Sequence, residues 1–316
     1  MKKVFVFLPD GIGLRNFVFG EFQKVASKFN LTFSYWNNTE YPIQEKVGLN
    51  EIKIENAKNH FFSDLIKRAK KELELRHSYK ETGDKIYLSY ILKAPYNTFK
   101  NFIKSQLVNF LILINRNENS IEKLFGKIAH YERKTAYYKQ SLKTLQQEKP
   151  DLLFCTNQRP ILAAAPMLAA RDLRIPTAVF IFSWDNLPKG ILVVEADYYF
   201  VWSKHMKQEL LHYYPHIDKK QIKITGSPQF EGHFDESLII KREEFFDKYK
   251  LDLSKKYILF SGDDVTTSPF DHFYLEDLAK IVREKNSIND IKLGIIYRKC
   301  PVDFTGRHLA ITNEFK

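Results

Sequence analysis

The chain has 316 residues, of which 44% are apolar and 28% charged, with a formal net charge of +11. This is enough for two domains with sizeable cores, and the composition excludes a disordered or fibrous chain. Cys155 and Cys300 offer neither a disulfide framework nor a metal-binding spacing, so we expect a cytoplasmic protein. The longest internal apolar run, at 110–114, is too short to span a bilayer.

Apolar strands alternate with helices along most of the chain. A strand at 4–8, a helix over 17–28 and a strand at 31–36 come first, and a mostly helical insertion follows at 58–148. Further strands are predicted at 151–156, 177–182, 196–203 and 221–228, with helices at 159–173 and 203–214. Continuous apolar strands separated by helices of this length indicate βαβ units, and therefore an α/β fold with a doubly wound parallel sheet covered on both faces.

A second unit begins after a charged connector at 236–252. Strands at 256–262 and 291–299, with a helix between them, predict the start of another doubly wound domain. We therefore expect a first domain over 1–235, which contains the insertion, and a second over 236–316. The second is expected to be incomplete, because so few strands leave sheet edges unpaired.

The insertion carries most of the positive charge. Residues 61–150 hold 18 Lys and Arg against 9 Asp and Glu. Such a surface can attract anionic lipid, a phosphorylated acceptor or nucleic acid, or it can be a solvated helical face. No recognisable nucleic-acid-binding module accompanies the charge, so we expect no nucleic acid and favour an anionic membrane surface.

Polar loops follow the predicted strands, at the edge where ligands bind in open parallel sheets. The sequence contains SWDN at 183–186, SKHMKQELL at 203–211, IKITGSP at 222–228 and IIYRKCPVD at 295–303. With these motifs the chain resembles the GT-B superfamily, especially bacterial surface-polysaccharide glycosyltransferases. More distantly it resembles CDP-glycerol-type polymer transferases and UDP-N-acetylglucosamine 2-epimerases. The resemblance covers about 1–40 and 150–300 and leaves the insertion unmatched.

The resemblance implies two Rossmann-like domains facing across a cleft, with the acceptor mainly on the first and a nucleotide-sugar, UDP-linked, mainly on the second. It implies chemistry without a metal or another cofactor. The predicted function is transfer of a sugar to a glycan or lipid-linked acceptor in surface polysaccharide synthesis, with inversion or retention left open. The alternatives are a CDP-polyol phosphotransferase and a non-catalytic binding or assembly protein.

Two aspartates are candidates for the general base that such a transfer needs. A strand-end carboxylate with partial burial can have an adjusted pKa, and Asp185 beside Trp184 meets this description. Asp10, in the first loop, is the rival. Asp185 can instead cap the following turn, as Asp residues often do. Asn186 and Lys189 would bind the acceptor or a phosphate, or simply form that turn.

The first loop, 10–17, is a candidate phosphate or sugar loop. Gly11 and Gly13 would let backbone N–H groups approach an anion closely, and Arg15 would clamp a phosphate. Asn16 stands where the third glycine of a dinucleotide-binding motif would fall, so we favour a substrate role over dinucleotide binding. The alternative is a plain tight turn.

Two further sets of residues complete the predicted site. The loop after the strand at 221–228 would approach a diphosphate or bind sugar hydroxyls, or merely redirect the chain; its candidates are Gly226, Ser227, Gln229 and Glu231. The second domain would hold the donor phosphate through Ser261, Gly262 and Arg298. Arg298 resembles an arginine that precedes a His-Pro pair in relatives, although Lys299 and Cys300 follow it here.

Overall fold

The structure is a computed structural model that describes residues 1–91, 98–116, 120–190, 192–288 and 292–315. The chain divides into an N-terminal unit, Met1–Phe234, and a C-terminal unit, Asp235–Lys316.

A parallel sheet of seven strands forms the centre of the N-terminal unit. Its strands are β1 Lys2–Leu8, β2 Leu31–Asn37, β3 Glu51–Lys53, β4 Leu152–Cys155, β5 Thr177–Phe180, β6 Tyr198–Val201 and β7 Ile222–Ile224. Their order is β3-β2-β1-β4-β5-β6-β7, and every neighbouring pair is parallel. The predicted α/β fold with a parallel sheet is therefore confirmed.

Helices surround this sheet. They are α1 Ile12–Phe17, α2 Phe22–Lys28, α3 Ile43–Val47, α4 Phe61–Thr82, α5 Ile86–Ser89, α6 Phe99–Ile114, α7 Ser120–Glu132, α8 Ala136–Glu148, α9 Ala164–Asp172 and α10 Lys204–Tyr213. The single helix predicted over 17–28 is wrong: Val18 and Phe19 both donate to the Leu14 carbonyl and close α1, and the chain turns before α2. Ser203 caps α10, as predicted, by accepting from the Met206 N–H at 3.3 Å.

The two faces of the sheet have separate cores. Along β1, Phe5 and Phe7 pack on one face with the insertion and α9, whereas Val6 and Leu8 pack on the other with Phe17. This alternation follows from the two-residue period of a strand. Each fully buried phenylalanine contributes about 1.5–3 kcal/mol through burial of apolar area.

The C-terminal unit contains a parallel pair of strands, β8 Lys256–Ser261 and β9 Leu293–Arg298, with helices α11 Arg242–Lys248, α12 Asp271–Ile288 and α13 Leu309–Glu314. The predicted strand at 291–299 begins at Ile291, which lies outside the described residues. Within the described parts of the chain, no helix has the length and apolar character needed to cross a membrane.

Candidate active site

The strand order reverses at β1, which lies between β2 and β4. In such sheets the loops that flank this switch point form the ligand-binding crevice. Asp10 follows β1, and Asn157 follows β4. The Asn157 amide donates to Asp10 Oδ2 at 2.6 Å, and the Ile12 N–H donates to Asp10 Oδ1 at 3.1 Å. Two strands that are far apart in sequence thus position one carboxylate at the switch point.

Asp10 has the electrostatics of a proton acceptor. Its partial burial raises its pKa, and this desolvation outweighs the opposing hydrogen bonds from Ile12 and Asn157 and the charge of Arg159. Asn157 is itself held in place: it is 1% exposed, and its Oδ1 accepts from the Arg159 N–H at 3.0 Å. A carboxylate with a raised pKa on a fixed support suits general-base chemistry.

Asp185 lies in a different environment. Burial alone would raise its pKa, but an ion pair with Lys189 and a 2.5 Å hydrogen bond from Ser183 Oγ, with smaller help from Asn186, lower it overall. Its carboxylate therefore accepts from three side chains of its own turn, those of Ser183, Asn186 and Lys189. The lowered pKa makes Asp185 a weaker proton acceptor than Asp10. Among the described residues no backbone N–H donates to the Asp185 carboxylate, so both the base role and the turn-capping role stay predictions.

The neighbours of Asp185 divide between surface and core. Trp184 is 66% exposed, whereas Asn186 is 1% exposed. The ammonium of Lys189 is paired with Asp185 and lies 4.9 Å from the ring centre of Tyr90. Of this set, only Trp184 presents its side chain freely to a ligand.

Gly13 has a packing role that corrects the expectation for the first loop. It is buried within α1, where an added Cβ would lie 2.4 Å from Thr156 Oγ1 and 2.5 Å from Leu8 Cδ2. The glycine therefore lets α1 approach β1 and β4 closely, and it does not offer a surface to an anion. Gly11, by contrast, is exposed with open space around it.

The segment 10–16, which contains most of α1, meets the loop 226–231. Arg15 Nη2 donates to Gln229 Oε1 at 2.8 Å, and Glu231 Oε2 accepts from the Glu21 N–H at 2.9 Å. Asn16 is 1% exposed and accepts from Arg15 Nε at 3.3 Å. The segments 10–16 and 226–231 are therefore in direct contact. Among the described residues no hydrogen bond joins either of them to 183–190.

The loop after β7 holds the last two predicted residues of this unit. Gly226 adopts a left-handed backbone with φ of 75°, which favours glycine. Ser227 follows it, and its hydroxyl is buried with no partner among the described residues. A sharp turn therefore accounts for the glycine.

The three donor-phosphate candidates lie together in the C-terminal unit. Ser261 and Arg298 are paired in register at the carboxyl ends of β8 and β9. The Gly262 N–H donates to the Arg298 carbonyl at 3.0 Å, and an added Cβ on Gly262 would lie 3.1 Å from the Tyr297 ring. The sequence therefore located the polar end of this small sheet.

Four residues of this region were not predicted from the sequence. Asn157 and Arg159 lie in the loop after β4, and Lys67 and Lys71 lie on α4 of the insertion. The loop position was a usable signal, because it follows a predicted strand. The two lysines gave no such signal, since nothing in their spacing shows which part of the sheet the insertion covers.

Comparisons with known proteins identify the fold. A Listeria monocytogenes protein assigned as a UDP-N-acetylglucosamine 2-epimerase is similar with a TM-score of 0.54 and 11% identity, over 100% of this chain and 66% of that one. The fold is of the GT-B Rossmann-like type. No protein-family model and no curated protein matches the chain.

Two other solved structures show weaker likeness. The UDP-GlcNAc 2-epimerase of Methanocaldococcus jannaschii has a TM-score of 0.49 and 15% identity, over 100% of this chain and 68% of that one. MurG of Acinetobacter baumannii has a TM-score of 0.39 and 10% identity, over 100% of this chain and 63% of that one. The chain thus spans about two thirds of the length of these proteins.

Proposed function

We propose that the protein is a glycosyltransferase that moves a sugar from a nucleotide-sugar to a glycan or lipid-linked acceptor, with Asp10 as the general base. The observation that carries this proposal is the Asp10 carboxylate at the switch point, fixed by Asn157 and with a raised pKa. The GT-B Rossmann-like fold is compatible with sugar transfer and supports the proposal as a fold alone.

In an inverting reaction the proton moves as the sugar is transferred. Asp10 takes the proton of the acceptor hydroxyl while the oxygen of that hydroxyl bonds to the anomeric carbon of the sugar. The bond from that carbon to the nucleotide diphosphate breaks, and the diphosphate leaves with the electron pair. We assign Ser261, Gly262 and Arg298 to the donor phosphates, because they gather at one strand end with a guanidinium.

Transfer assays with UDP-linked and CDP-linked donors test this function. We expect UDP-sugars to bind and to support transfer to a glycan or lipid-linked acceptor; the Listeria monocytogenes protein of similar fold is named for a UDP-sugar, which supports this choice. Transfer of a polyol phosphate from a CDP-linked donor would favour the phosphotransferase instead. Failure to bind any nucleotide would favour a non-catalytic assembly protein, and a changed sugar nucleotide with no transfer would contradict the proposal.

Helix α6 supports a second part of the proposal, attachment to an anionic membrane. Several large apolar side chains on this helix are exposed: Phe99 79%, Phe102 46%, Ile103 43%, Phe110 57%, Leu113 55% and Ile114 54%. Their spacing places them on one side of the helix, opposite the buried Val108 and Ile112.

Lysines accompany this apolar face. Lys100 and Lys104 lie on α6 itself, and Lys123 and Lys127 line an adjacent apolar groove of about 580 Å³ between α4, α6 and α7. An apolar helix face with lysines at its margin fits a bilayer surface that contains anionic lipid. We therefore propose that α6 rests in the headgroup region of such a membrane.

Vesicle co-sedimentation tests this attachment. We expect binding to phosphatidylglycerol-containing vesicles that weakens with salt, and the double change Phe110→Glu and Leu113→Glu should lower it about tenfold or more, since it removes buried apolar area. Phe304→Glu, which alters a residue that is 87% exposed in the C-terminal unit, is the matched control. Equal losses in both variants, or self-association through α6 in place of vesicle binding, would contradict the proposal.

A further inference from the structure

Two lysines of the insertion lie beside the loop that supports Asp10. Lys67 and Lys71 are four residues apart on α4, so their side chains project from the same side of the helix. Lys67 Nζ donates to the Arg159 carbonyl at 2.7 Å, across 92 positions of sequence. Because Arg159 follows Asn157 by two residues, this contact brings the basic side of α4 to the switch point.

Among the described residues, none of these three cations forms an ion pair within 4 Å. In the described ranges, no carboxylate lies within 4 Å of the charged groups of Lys67, Lys71 or Arg159, whereas the neighbouring Lys70 and Lys189 are each ion-paired. The Arg159 guanidinium lies 5.3 Å from the ring centre of Phe182, two residues after β5. Three positive charges without a short ion pair therefore lie close enough to affect one another beside the loop after β4.

The closeness of these positive charges is electrostatically unfavourable when no anion is bound. Burial lowers the pKa of Lys67 to about 8, with further lowering by the charges of Arg159, Lys71 and Lys70 against an opposing effect of Asp64. The pKa of Lys71 is also lowered, first by burial and then by the charges of Arg159 and Lys189. A bound anion would relieve this repulsion.

We propose that Lys67, Lys71 and Arg159 form a binding site for a phosphate group that a substrate carries, beside the loop after β4 whose Asn157 holds the Asp10 carboxylate. Three convergent cations suit a phosphate dianion or a diphosphate, and Arg and Lys are its usual protein partners. Naming the ligand as a substrate rests on the proposed function, whereas the binding of the anion can be measured independently of it. The phosphate group could belong to either of two substrates, the acceptor or the diphosphate of the donor.

Calorimetry with inorganic pyrophosphate tests the site in the full chain. We expect Lys67→Ala, Lys71→Ala and Arg159→Ala each to weaken binding about tenfold, as loss of one charge-assisted hydrogen bond does. Lys80→Ala is the matched control, because it removes the same charge from an exposed position further along α4. Undetectable binding to the unaltered protein, or equal weakening by Lys80→Ala, would overturn the proposal.

The pH dependence of sulfate binding gives a second readout, because sulfate remains a dianion throughout the range. Lysine binds an anion only when protonated, so affinity should fall as the pH rises through and above about 8. The titratable or charged groups around Lys67 are Asp64, Lys70, Lys71 and Arg159. Lys67→Arg should retain binding and flatten this fall, since arginine stays protonated. An unchanged fall in Lys67→Arg would contradict the role of Lys67.

Competition with UDP separates the two sources. Displacement of pyrophosphate by UDP assigns the site to the donor diphosphate and replaces the assignment of the donor phosphates to Ser261, Gly262 and Arg298. Simultaneous binding of both assigns the site to the acceptor phosphate, and either result supports phosphate recognition. If no nucleotide-sugar is turned over but pyrophosphate binding still depends on Lys67 and Lys71, the proposed function fails while the anion site stands. If sugar transfer proceeds and pyrophosphate binding is unchanged in the Lys67 and Lys71 variants, the proposed anion site is wrong and the proposed function stands.

Discussion

Replacement of Asp10 by Asn is expected to lower the turnover number of the proposed sugar transfer about 10²–10⁴-fold, the usual contribution of a general base. The amide keeps the size of the side chain and can still accept one of the hydrogen bonds from Ile12 and Asn157, but it cannot take up a proton. The KM for the nucleotide-sugar should change little, because the base acts on the acceptor.

Asp185→Asn is the matched comparison, since it makes the same chemical change in the other strand-end loop. The Asp185 carboxylate is held by Lys189 and Ser183, so we expect a much smaller loss of turnover and a weakened turn. The reverse ranking, with Asp185→Asn the more damaging change, would identify Asp185 as the base and contradict the account.

The second large effect concerns stability. Lys70→Met is expected to lower the free energy of unfolding by about 3–5 kcal/mol, because it leaves a buried glutamate without its partner. Lys70 is 2% exposed and donates to Glu74 Oε1 at 2.5 Å and to the Leu192 carbonyl at 2.8 Å. Its ammonium also lies 4.2 Å from the ring centre of Phe125. This one cation therefore joins α4 to α7 and to the segment after β5.

Urea unfolding followed by tryptophan fluorescence measures this loss selectively, because all three tryptophans, Trp36, Trp184 and Trp202, belong to the N-terminal unit. Lys80→Met on the same helix should have almost no effect, as expected for an exposed position. Replacing the pair together, Lys70→Met with Glu74→Leu, should restore most of the stability, because the buried charge is then removed as well. An equal loss in the single and double variants would show that packing, not the ion pair, stabilises this site.

The sheet was predictable from the sequence because its signals are local. The apolar-rich stretches that form β1, β2, β4 and β5 were predicted directly, and Ser203 was predicted as the N-cap of α10. The edge strand β3 was not predicted, because a strand of three residues at 51–53 is too short to show the alternation of apolar and polar residues.

The candidate site was only partly predictable, because it depends on contacts between distant segments. Asp10 was found as a strand-end residue, but its partner Asn157 is 147 positions away, and only the order of the strands brings them together. The exposure of Gly13 could not be judged without Thr156 packed against it. Asp185 was preferred because local sequence does not show that Lys189, four residues on, takes up its carboxylate.

The most direct test of the account is the pH dependence of kcat/KM for sugar transfer, measured for the unaltered protein and for Asp10→Asn. The base must be unprotonated, so activity should fall as the pH drops through the pKa of Asp10, which desolvation raises above the ordinary aspartate range. We expect this acid limb in the unaltered protein and its absence from the residual activity of Asp10→Asn. An acid limb that persists in Asp10→Asn would place the base elsewhere.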